Sequence, residues 1–433
     1  MGAAGGALRR GLPRGPAGSG GVRVLVLSSV FPNPRQPVLG LFVRERVRRM
    51  ARHCDLEVVA PVPWFPLNGW IRPHVAGVPR RESQAGLTVH HPWAFSVPRY
   101  LKALDGVFYA ASLAPFLARL RRRFAFDVID AHFAYPEGMA AVVLGRLFRV
   151  PVMITLRGTI VRLATYATHR PQLRWTLARA DALVAVSRAL RDVAVALGQA
   201  PDRVRVIPNG VDTTRFRPMK RAAARAATGL PAARTVLLAV GALYEGKGHH
   251  LVVDALARLV PRRPDLLYVV VGPERPGERY RAALEARVRR LGLADHVYLA
   301  GPRPAEQLPA WYGAADLFCL ATRSEGWANC LLEALACGLP VVTTRVGGNP
   351  EIVREGVDGL LVPWGDVPAL AAAIEEALGR PWDRAALVAH AATHSWDEAA
   401  AASLAALRAL VDRRELAGAT APAPADGGAS CTR

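Results

Sequence analysis

Short apolar runs alternate with helical patterns along nearly the whole chain. In the first half, runs of four to six residues predict buried strands at 22–27, 56–60, 127–131, 151–156, 182–186 and 204–207. Helical periodicity separates several of these runs, at 40–51, 101–123, 138–148 and 187–197. Strands that alternate with helices in this way predict a parallel sheet with helices on both faces.

The second half of the chain repeats this alternation. Its strands are predicted at 235–240, 267–271, 297–299, 316–320, 340–344 and 359–362. Its helices are predicted at 249–260, 278–291 and 367–378. Because 433 residues exceed what one ordinary core supports, the halves predict two Rossmann-like α/β domains that face each other across a cleft.

Breaks in the pattern predict the domain limits. Residues 1–21 are rich in glycine, alanine and arginine without an apolar leader segment, and we expect a disordered tail there and over 415–433. The first domain is predicted over 22–207, a polar linker over 208–230 and the second domain over 231–395. A last helix over 396–414 follows, and periodicity leaves open whether it crosses back to the first domain.

The segment 61–99 does not fit the alternation, because it combines many prolines with several tryptophans and phenylalanines. One interpretation is a long loop that packs its aromatic side chains on its own domain. The other is a rim that contacts an acceptor or a membrane, with Arg72, Arg80 and Arg81 near anionic headgroups.

Charge narrows the classes of partner. Lysine and arginine number 56 against 35 acidic residues, a formal net charge of +21 that is almost all arginine. Solvated arginine faces explain part of this excess, and attraction to lipid headgroups or diphosphates is the alternative. Nucleic acid is disfavoured because no RNA-binding signature or aromatic–basic array accompanies the charge. The purely apolar runs fall short of the ~18 residues that a membrane span needs.

Five cysteines are present, and none forms a Cys-x-x-Cys pair. This pattern favours a reducing cytoplasm over a disulfide framework or a zinc site.

The stretch 324–340 carries the strongest chemical signal. It follows an apolar run that predicts a strand, contains Glu325 in a loop, and then opens a helix that Gly338 can close. Ligands of open α/β sheets bind at the carboxyl ends of strands, where Glu325 is expected. Glu333 follows eight residues later, close to two helical turns, and is expected on the same side. Two carboxylates beside a helix N-terminus that favours phosphate suggest a nucleotide-sugar.

Two glycine-rich turns add to this site. Gly241 begins the turn after the strand 235–240, and Lys247 is expected to open the following helix. Lysine occurs at only three positions in the chain. An ammonium group here would lie next to a diphosphate. Gly347 and Gly348 follow the strand 340–344 and precede a helix start, a setting that suits an anion or a sugar oxygen as well as an ordinary turn.

The first half contributes two further candidates. His132 follows the strand 127–131 and Arg157 follows the strand 151–156. Both turns are expected to face the same cleft. For His132 a structural role and a catalytic role are about equally supported.

Taken together, these residues resemble the family-four glycosyltransferases with the GT-B architecture. The resemblance covers about 22–411. It depends most on Glu325 and Glu333 with seven residues between them, and on the Ala-x-Ala-x-Gly-x-Pro pattern at 334–340. Further matches are Val186-Ser187, the Pro-Asn-Gly-Val-Asp segment at 208–212, the turn at 241–248, and the Gly-Gly-Asn-Pro-Glu segment at 347–351. The segments 31–34 and 37–43 are similar to the branch that acts in bacterial exopolysaccharide and teichuronic-type polymer synthesis.

The resemblance implies a retaining transfer of a sugar from a nucleotide-sugar without a metal ion or another cofactor. It assigns Glu325 to the hydroxyls of the donor sugar, Glu333 to the ribose, and Lys247 to the leaving diphosphate. A metal-free enzyme must stabilise that charge with fixed cations and amides. Other donor-side residues expected from the matched motifs are Asn209, Gly241, Gly326, Asn329, Cys330, Gly347 and Gly348. The expected acceptor is a glycan or a lipid-linked glycan, handled in the cytoplasm or on the inner face of the plasma membrane.

Two positions depart from the family pattern. Ala242 stands where an arginine is common, so that Lys247 acts alone or another arginine such as Arg323 substitutes. Arg157 stands where a histidine is common. An arginine cannot serve as a base, and we therefore expect Arg157 to bind an anion such as an acceptor phosphate or an acidic sugar, with His132 as a second catalytic candidate in the cleft.

Two alternative functions remain open from the sequence. One is a sugar-nucleotide epimerase with the same architecture. The other is a non-enzymatic basic protein that binds membranes or nucleic acid, whose salt-sensitive binding would not depend on Glu325 or Lys247.

Overall fold

The computed structural model describes residues 21–66, 75–275 and 279–419. Strands and helices alternate through two halves. The strands of the first half are β1 (Arg23–Leu27), β2 (Asp55–Val59), β3 (Val62–Trp64), β4 (Arg81–Gln84), β5 (Leu87–His90), β6 (Trp93–Phe95), β7 (Val128–His132), β8 (Val152–Leu156), β9 (Ala182–Ala185) and β10 (Val204–Val206). The helices of the first half are α1 (Leu41–Met50), α2 (Asp105–Arg121), α3 (Met139–Phe148), α4 (Thr159–Leu163), α5 (Arg170–Arg179) and α6 (Arg188–Ala196).

The second half begins with a helix and then alternates. Its strands are β11 (Thr235–Val240), β12 (Leu266–Val271), β13 (Val297–Gly301), β14 (Leu317–Leu320), β15 (Val341–Thr344) and β16 (Gly359–Val362). Its helices are α7 (Arg221–Thr228), α8 (His249–Leu259), α9 (Tyr280–Arg290), α10 (Leu308–Ala314), α11 (Asn329–Ala336), α12 (Asn349–Ile352), α13 (Val367–Gly379), α14 (Arg384–Ala392) and α15 (Trp396–Ala419).

The strands form two large sheets. The first has the order β10-β9-β8-β7-β1-β2-β5-β4, and the second has the order β13-β12-β11-β14-β15-β16. All neighbours in these sheets are parallel except β4 and β5. The predicted α/β class with two parallel-sheet domains is therefore confirmed. The strand order reverses between β1 and β7 and between β11 and β14, and such switch points are where open α/β sheets bind ligands.

The segment 61–99 is more regular than the long loop that the sequence predicts. It contains β3 and β6, which pair in a small parallel sheet, and a hairpin of β4 and β5 that extends the first large sheet. Trp64 and Trp93 stack with ring centroids 5.7 Å apart. Residues 67–74, which include the predicted contact Arg72, lie outside the described residues.

The stretch 208–230, predicted as a linker, is not uniform. Its second part is α7, which packs on α10 of the second half. Arg225 is buried there, and its guanidinium donates to the carbonyl oxygen of Arg234 at 3.0 Å and to the Asp316 carboxylate at 2.9 Å. These bonds fix the helix to the second domain, so that residues 221–228 are part of that body.

The last helix, α15, packs against α1 of the first domain. Its apolar residues Trp396, Leu404 and Leu407 share a core with Val24 and Val26 of β1. The helix continues to Ala419, whereas the sequence predicts its end at 414. The predicted tail residues 1–20 and 420–433 lie outside the described residues.

Among the described residues, the stretch Lys102–Arg121 is the one long and apolar enough to span a bilayer by length and composition alone. The apolar character of this stretch has a simpler explanation, because Leu113, Leu117 and Leu120 of α2 are fully buried in the core of the first domain. Core helices of folded domains pass the same test.

Candidate active site

The switch point of the second sheet carries an ion pair. Lys247 lies in a single 3₁₀ turn after β11, and Glu325 lies in the loop after β14. The Nζ atom of Lys247 is 2.5 Å from Oε1 of Glu325. Glu325 and the other neighbouring acidic groups raise the pKa of Lys247 against the opposing effect of burial, so the ammonium form is fixed at any physiological pH. The two residues that the sequence assigns to diphosphate and sugar are thus brought together.

Two hydrogen bonds hold the loops that carry this pair. The carbonyl oxygen of Gly246 accepts from the Thr322 hydroxyl at 3.0 Å and from the Arg323 amide at 2.8 Å. The same hydroxyl lies 3.1 Å from Oε1 of Glu325. Gly248, with a φ of +69°, lets α8 begin at this point, since a Cβ there would lie 1.8 Å from the Ala321 carbonyl oxygen. The ion pair is therefore placed by backbone on both sides.

Gly241 lies beside the lysine, as the sequence predicts for this turn. A Cβ built on Gly241 would be 3.6 Å from Cε of Lys247, an ordinary contact distance. Arg323, the suggested substitute for the arginine missing at Ala242, is exposed, and its guanidinium lies 5.8 Å from the centre of the Trp364 ring. Its backbone, and not its side chain, contacts the lysine turn.

Glu333 lies one helical turn into α11, and its Oε2 accepts from the Tyr312 hydroxyl at 2.7 Å. The spacing argument from sequence is wrong in one respect. The helix begins only at Asn329, so four of the eight steps from Glu325 are not helical. Both carboxylates nonetheless lie close enough to Cys330 to affect its thiol. Burial raises the pKa of that thiol most, and Glu325 and Glu333 raise it further. Burial also raises the pKa of Glu333 itself.

The N-terminus of α11 lies between these carboxylates, and no side chain caps it. The free amides of such a first turn, near Asn329 and Cys330, favour an anion. The helix ends as predicted, since Gly338 follows with a φ of +70°.

Gly347 and Gly348 pack against the loop that holds Glu325. A Cβ at Gly347, whose φ is +51°, would lie 1.8 Å from the Glu325 carbonyl oxygen. A Cβ at Gly348 would lie 2.5 Å from the Gly326 carbonyl oxygen and 3.2 Å from Cβ of Ser187. Close approach of protein backbone alone therefore requires glycine at both positions, and their predicted contact with a donor stays a prediction.

The two domains meet beside this loop. A Cβ at Gly326 would lie 2.7 Å from the backbone nitrogen of Gly158, which follows β8. The side-chain amide of Asn209, which follows β10, donates to Oδ1 of Asn329 at 3.1 Å. The segments that follow β8 and β10 thus contact the second domain directly. Asn209, predicted to bind the donor, spans the domain boundary.

His132 and Arg157 form a buried polar cluster at the end of β7 and β8. Arg157 contacts Nδ1 of His132 at 3.0 Å, and Nε2 of His132 lies 3.4 Å from Oδ2 of Asp130. Burial lowers the pKa of His132 and lowers that of Arg157 well below its ordinary value. His132 has no exposed surface and is neutral near pH 7. It is therefore better suited to orienting the Arg157 side chain than to acting as a catalytic acid or base.

The sequence analysis missed Arg46, which completes this cluster. It is fully buried in α1 and donates at 3.0 Å to the Ile207 carbonyl oxygen and at 3.1 Å to Oδ1 of Asn209. Burial lowers its pKa to about 10. The sequence could have indicated Arg46, because position 46 lies on the same helical face as Val43 and Met50, where a charged residue is unexpected.

Glu137 is a second residue that the sequence did not single out. It lies in an irregular turn (Ala134–Gly138) after β7, and its Oε1 accepts from the amide of Ser29, which follows β1, at 3.1 Å. The preceding Phe133 has a φ of +78°, a strained value for a bulky residue. The side chain is 1% exposed, and burial raises its pKa to about 7. This carboxyl group connects the two strand ends at the switch point of the first sheet.

We predict that Glu137 makes stability fall as pH rises through the neutral range. Between about pH 4.5 and 7 the folded state holds the proton and the unfolded state does not, so this contribution is complete below pH 4.5 and lost as pH rises through 7. The Glu137→Gln variant lacks this titration. Thermal unfolding of both proteins at pH 5 and pH 8 should show the variant gaining on the wild type at pH 8, by roughly 3 kcal/mol at most. An equal difference at both pH values would contradict the prediction.

The part of the chain that the structure describes contains no candidate metal site. Within residues 21–66, 75–275 and 279–419, no group of three or more histidine, cysteine, aspartate or glutamate side chains is arranged to hold a metal ion.

Two family models match the chain in succession. The model described as Glycosyltransferase Family 4 matches residues 71–215, and the model described as Glycosyl transferases group 1 matches residues 220–394. The first covers most of the first domain, and the second covers α7 together with the whole second sheet.

Curated relatives agree with these models. The D-inositol 3-phosphate glycosyltransferase of Thermobispora bispora is 33% identical over 351 residues, which are 76% of this chain and 81% of the relative. The protein of the same name from Acidothermus cellulolyticus is 34% identical over 286 residues, which are 62% of this chain and 63% of the relative. The chain therefore spans slightly less than two thirds of one relative and about four fifths of the other.

Solved structures share the fold at low sequence identity. Sucrose-phosphate synthase from Thermosynechococcus elongatus superposes with a TM-score of 0.72 at 21% identity, over 92% of this chain and 100% of that one. The Anabaena protein HepE, solved in complex with UDP and glucose, superposes with a TM-score of 0.67 at 19% identity over the same shares. With the two matched models and the relatives above, these likenesses show that the chain belongs to the GT-B glycosyltransferases that combine a family 4 domain with a group 1 domain.

Proposed function

We propose that this glycosyltransferase takes its sugar from a nucleotide-sugar and transfers it with retention of the anomeric configuration. The observation that carries the proposal is the Lys247–Glu325 pair at 2.5 Å, at the switch point of the second sheet and beside the uncapped N-terminus of α11. A fixed ammonium and free amides suit a leaving diphosphate. Glu325 is then the group nearest the sugar, and Glu333, one turn into the helix, is available to the ribose hydroxyls.

In the proposed reaction the bond from C1 of the sugar to the diphosphate oxygen breaks, and a bond from C1 to the acceptor oxygen forms. The acceptor proton passes to the departing diphosphate. The chain supports this route because the facing cluster offers no accessible base: the Arg157 guanidinium has no acceptor atom, and His132 has no exposed surface. Lys247 and the amides of α11 would carry the growing negative charge, and no metal ion or other cofactor is assigned to the step.

Two acceptor classes are supported by different observations. The first is a glycan or lipid-linked glycan in bacterial surface polysaccharide synthesis, which the segments 31–34 and 37–43 favour by resemblance. The second is an inositol phosphate, because the curated relatives carry that acceptor in their name. The buried cluster places two guanidinium groups, those of Arg46 and Arg157, near one carboxyl group, that of Asp130, which suits a phosphate in either acceptor.

Product analysis tests the proposal. The purified protein is incubated with a panel of nucleotide-sugars and either D-inositol 3-phosphate or a lipid-linked acceptor extract. We expect nucleoside diphosphate release that requires an acceptor, and a product whose anomeric configuration by NMR equals that of the donor. Release without any acceptor would favour an epimerase or a hydrolase, and an inverted product would overturn the retaining mechanism.

We also propose that the protein works at the cytoplasmic membrane surface. Exposed apolar side chains cluster between β6 and the start of α2: Trp93, Tyr100, Leu101, Leu104 and Val107. The Arg80 guanidinium lies 3.6 Å from the centre of the Trp93 ring. Apolar side chains with cations beside them suit an anionic lipid surface.

Vesicle flotation tests this surface. We expect the wild type to float with phosphatidylglycerol-containing vesicles at low salt, and the double variant Tyr100→Ser, Leu104→Ser to lose about threefold or more of that binding. Leu147→Ser removes a comparably exposed leucine from α3 and should bind as the wild type does. Equal binding of all three proteins, or none by the wild type, would refute the membrane proposal while leaving the transfer reaction untouched.

A further inference from the structure

Glu351 reaches from the second domain to the first. It lies in α12, and its carboxylate accepts two backbone hydrogen bonds at the start of α6: Oε2 from the Arg188 amide at 2.8 Å and Oε1 from the Ala189 amide at 2.9 Å. The Arg188 side chain adds a contact of 3.4 Å to Oε2. One carboxylate of the second domain thus occupies the N-terminus of a helix in the first.

This arrangement completes the cap of α6. The first amides of a helix have no partner within the helix and carry partial positive charge. Ser187 satisfies one of them, because its hydroxyl accepts from the Leu190 amide at 3.2 Å. The two preceding amides, those of Arg188 and Ala189, donate to the Glu351 carboxylate. If the domains separate, both amides and the carboxylate lose these partners, so the contact favours the closed arrangement.

The same segment supports the loop that holds Glu325. Gly347 and Gly348, four and three residues before Glu351, pack on the carbonyl oxygens of Glu325 and Gly326. The Gly348 amide lies 3.4 Å from the Glu325 carbonyl oxygen. A displacement of Glu351 from α6 would therefore be transmitted to the loop that places Glu325 against Lys247.

We propose that Glu351 is a positioning residue, which latches the two domains in the closed arrangement and thereby places Glu325 for sugar transfer. The inference rests on the proposed function for its kinetic part only. Its structural part, the capping of α6 across the cleft, depends on the observed hydrogen bonds alone. The Arg188 side chain is 70% exposed and contributes little to the stability of this contact. The hydrogen bonds from the two backbone amides therefore provide most of the interaction between the domains.

Four variants separate the possibilities. Glu351→Ala removes both acceptors, Glu351→Gln keeps one oxygen acceptor without the charge, and Arg188→Ala removes only the exposed side chain. Glu355→Ala is the matched control, because Glu355 pairs with Arg345 of its own domain and does not cross the cleft.

Three measurements are made on the full chain. Small-angle X-ray scattering, with and without saturating UDP, reports domain closure. Steady-state kinetics on whichever donor and acceptor support transfer report kcat, and calorimetry reports UDP affinity. We expect Glu351→Ala to have a larger radius of gyration than the wild type and a kcat lower by about tenfold or more. UDP affinity should change by less than about threefold, since the nucleotide is bound by the second domain. Glu351→Gln should be intermediate, and Arg188→Ala and Glu355→Ala should match the wild type.

Several outcomes would overturn the proposal. One is identical scattering of Glu351→Ala and the wild type in both conditions. Another is a parallel loss of kcat and thermal stability that Glu355→Ala shares. If no donor supports transfer by the wild type, the proposed function fails, but the scattering comparison still decides whether Glu351 closes the domains.

Discussion

Replacing Lys247 with alanine is expected to lower the rate of sugar transfer by about 100-fold or more, the usual consequence of removing one preorganised charge stabiliser. Lys247 has only 15% of its side chain exposed, keeps its charge, and is held by two backbone-fixed loops. An exposed cation could be replaced by solvent or counterions, whereas one held in the cleft cannot. The measurement is kcat with saturating donor and acceptor.

Two variants calibrate this result. Lys220→Ala removes an exposed lysine at the start of α7 and should leave the rate unchanged. Lys247→Arg keeps the charge but not the compact geometry, and an intermediate rate is expected. A wild-type rate for Lys247→Ala, measured with the true substrate pair, would remove Lys247 from the reaction.

The second large effect is expected at Glu325. The Glu325→Gln variant keeps the size of the side chain and an acceptor for the Thr322 hydroxyl, but it loses the charge that pairs with Lys247. We expect kcat to fall by roughly 100-fold with a smaller change in donor affinity, because the charge matters most as the sugar gains positive character.

Comparison with Glu333 makes this test specific. Glu333→Gln should mainly weaken nucleotide affinity, since Glu333 lies deeper along α11 beside Tyr312, where the ribose is proposed to bind. Glu355→Gln, on the surface of the same domain, should change neither quantity. If Glu325→Gln altered only thermal stability and not kcat, its role would be structural.

The sequence predicted the parts of this fold that depend on hydrophobic periodicity. The buried parallel strands on either side of the switch points, such as β1, β11 and β14, are mostly apolar runs that can be recognised without a structure. The placement of Lys247 and Glu325 in one site was predictable for a related reason. Each follows a strand of the same parallel sheet, and ligands of such sheets bind at the carboxyl ends of the strands.

Local turn chemistry explains a fold element that was missed. The β4–β5 hairpin closes through Ala85 and Gly86, which have φ values of +51° and +79°. Two-residue turns of this kind are usually recognised by Asn-Gly or Asp-Gly, and alanine is unfavourable at the first position. The surrounding polar strand Arg81–Gln84 has no apolar run either, so neither signal was available.

Site residues were missed where their partners are backbone groups or lie far apart in sequence. Glu351 was noticed only as part of a glycine-rich motif, because its partners are two amides of α6 that leave no mark in the sequence. Arg46 joins its cluster through the Ile207 carbonyl oxygen, 161 positions away. Contacts of this kind follow from the packing of the two domains and not from any local pattern.

The proposed site places a nucleoside diphosphate between Lys247 and Glu333 at the N-terminus of α11. Thermal unfolding of the wild type, Lys247→Ala and Glu333→Gln with UDP, GDP, ADP and the corresponding nucleotide-sugars tests this binding. Binding to the folded state raises its stability by mass action. We expect at least one of these ligands to raise the unfolding temperature of the wild type, and both variants to lose most of that shift. No shift with any ligand, or the same shift in all three proteins, would show that no nucleoside diphosphate binds at this site.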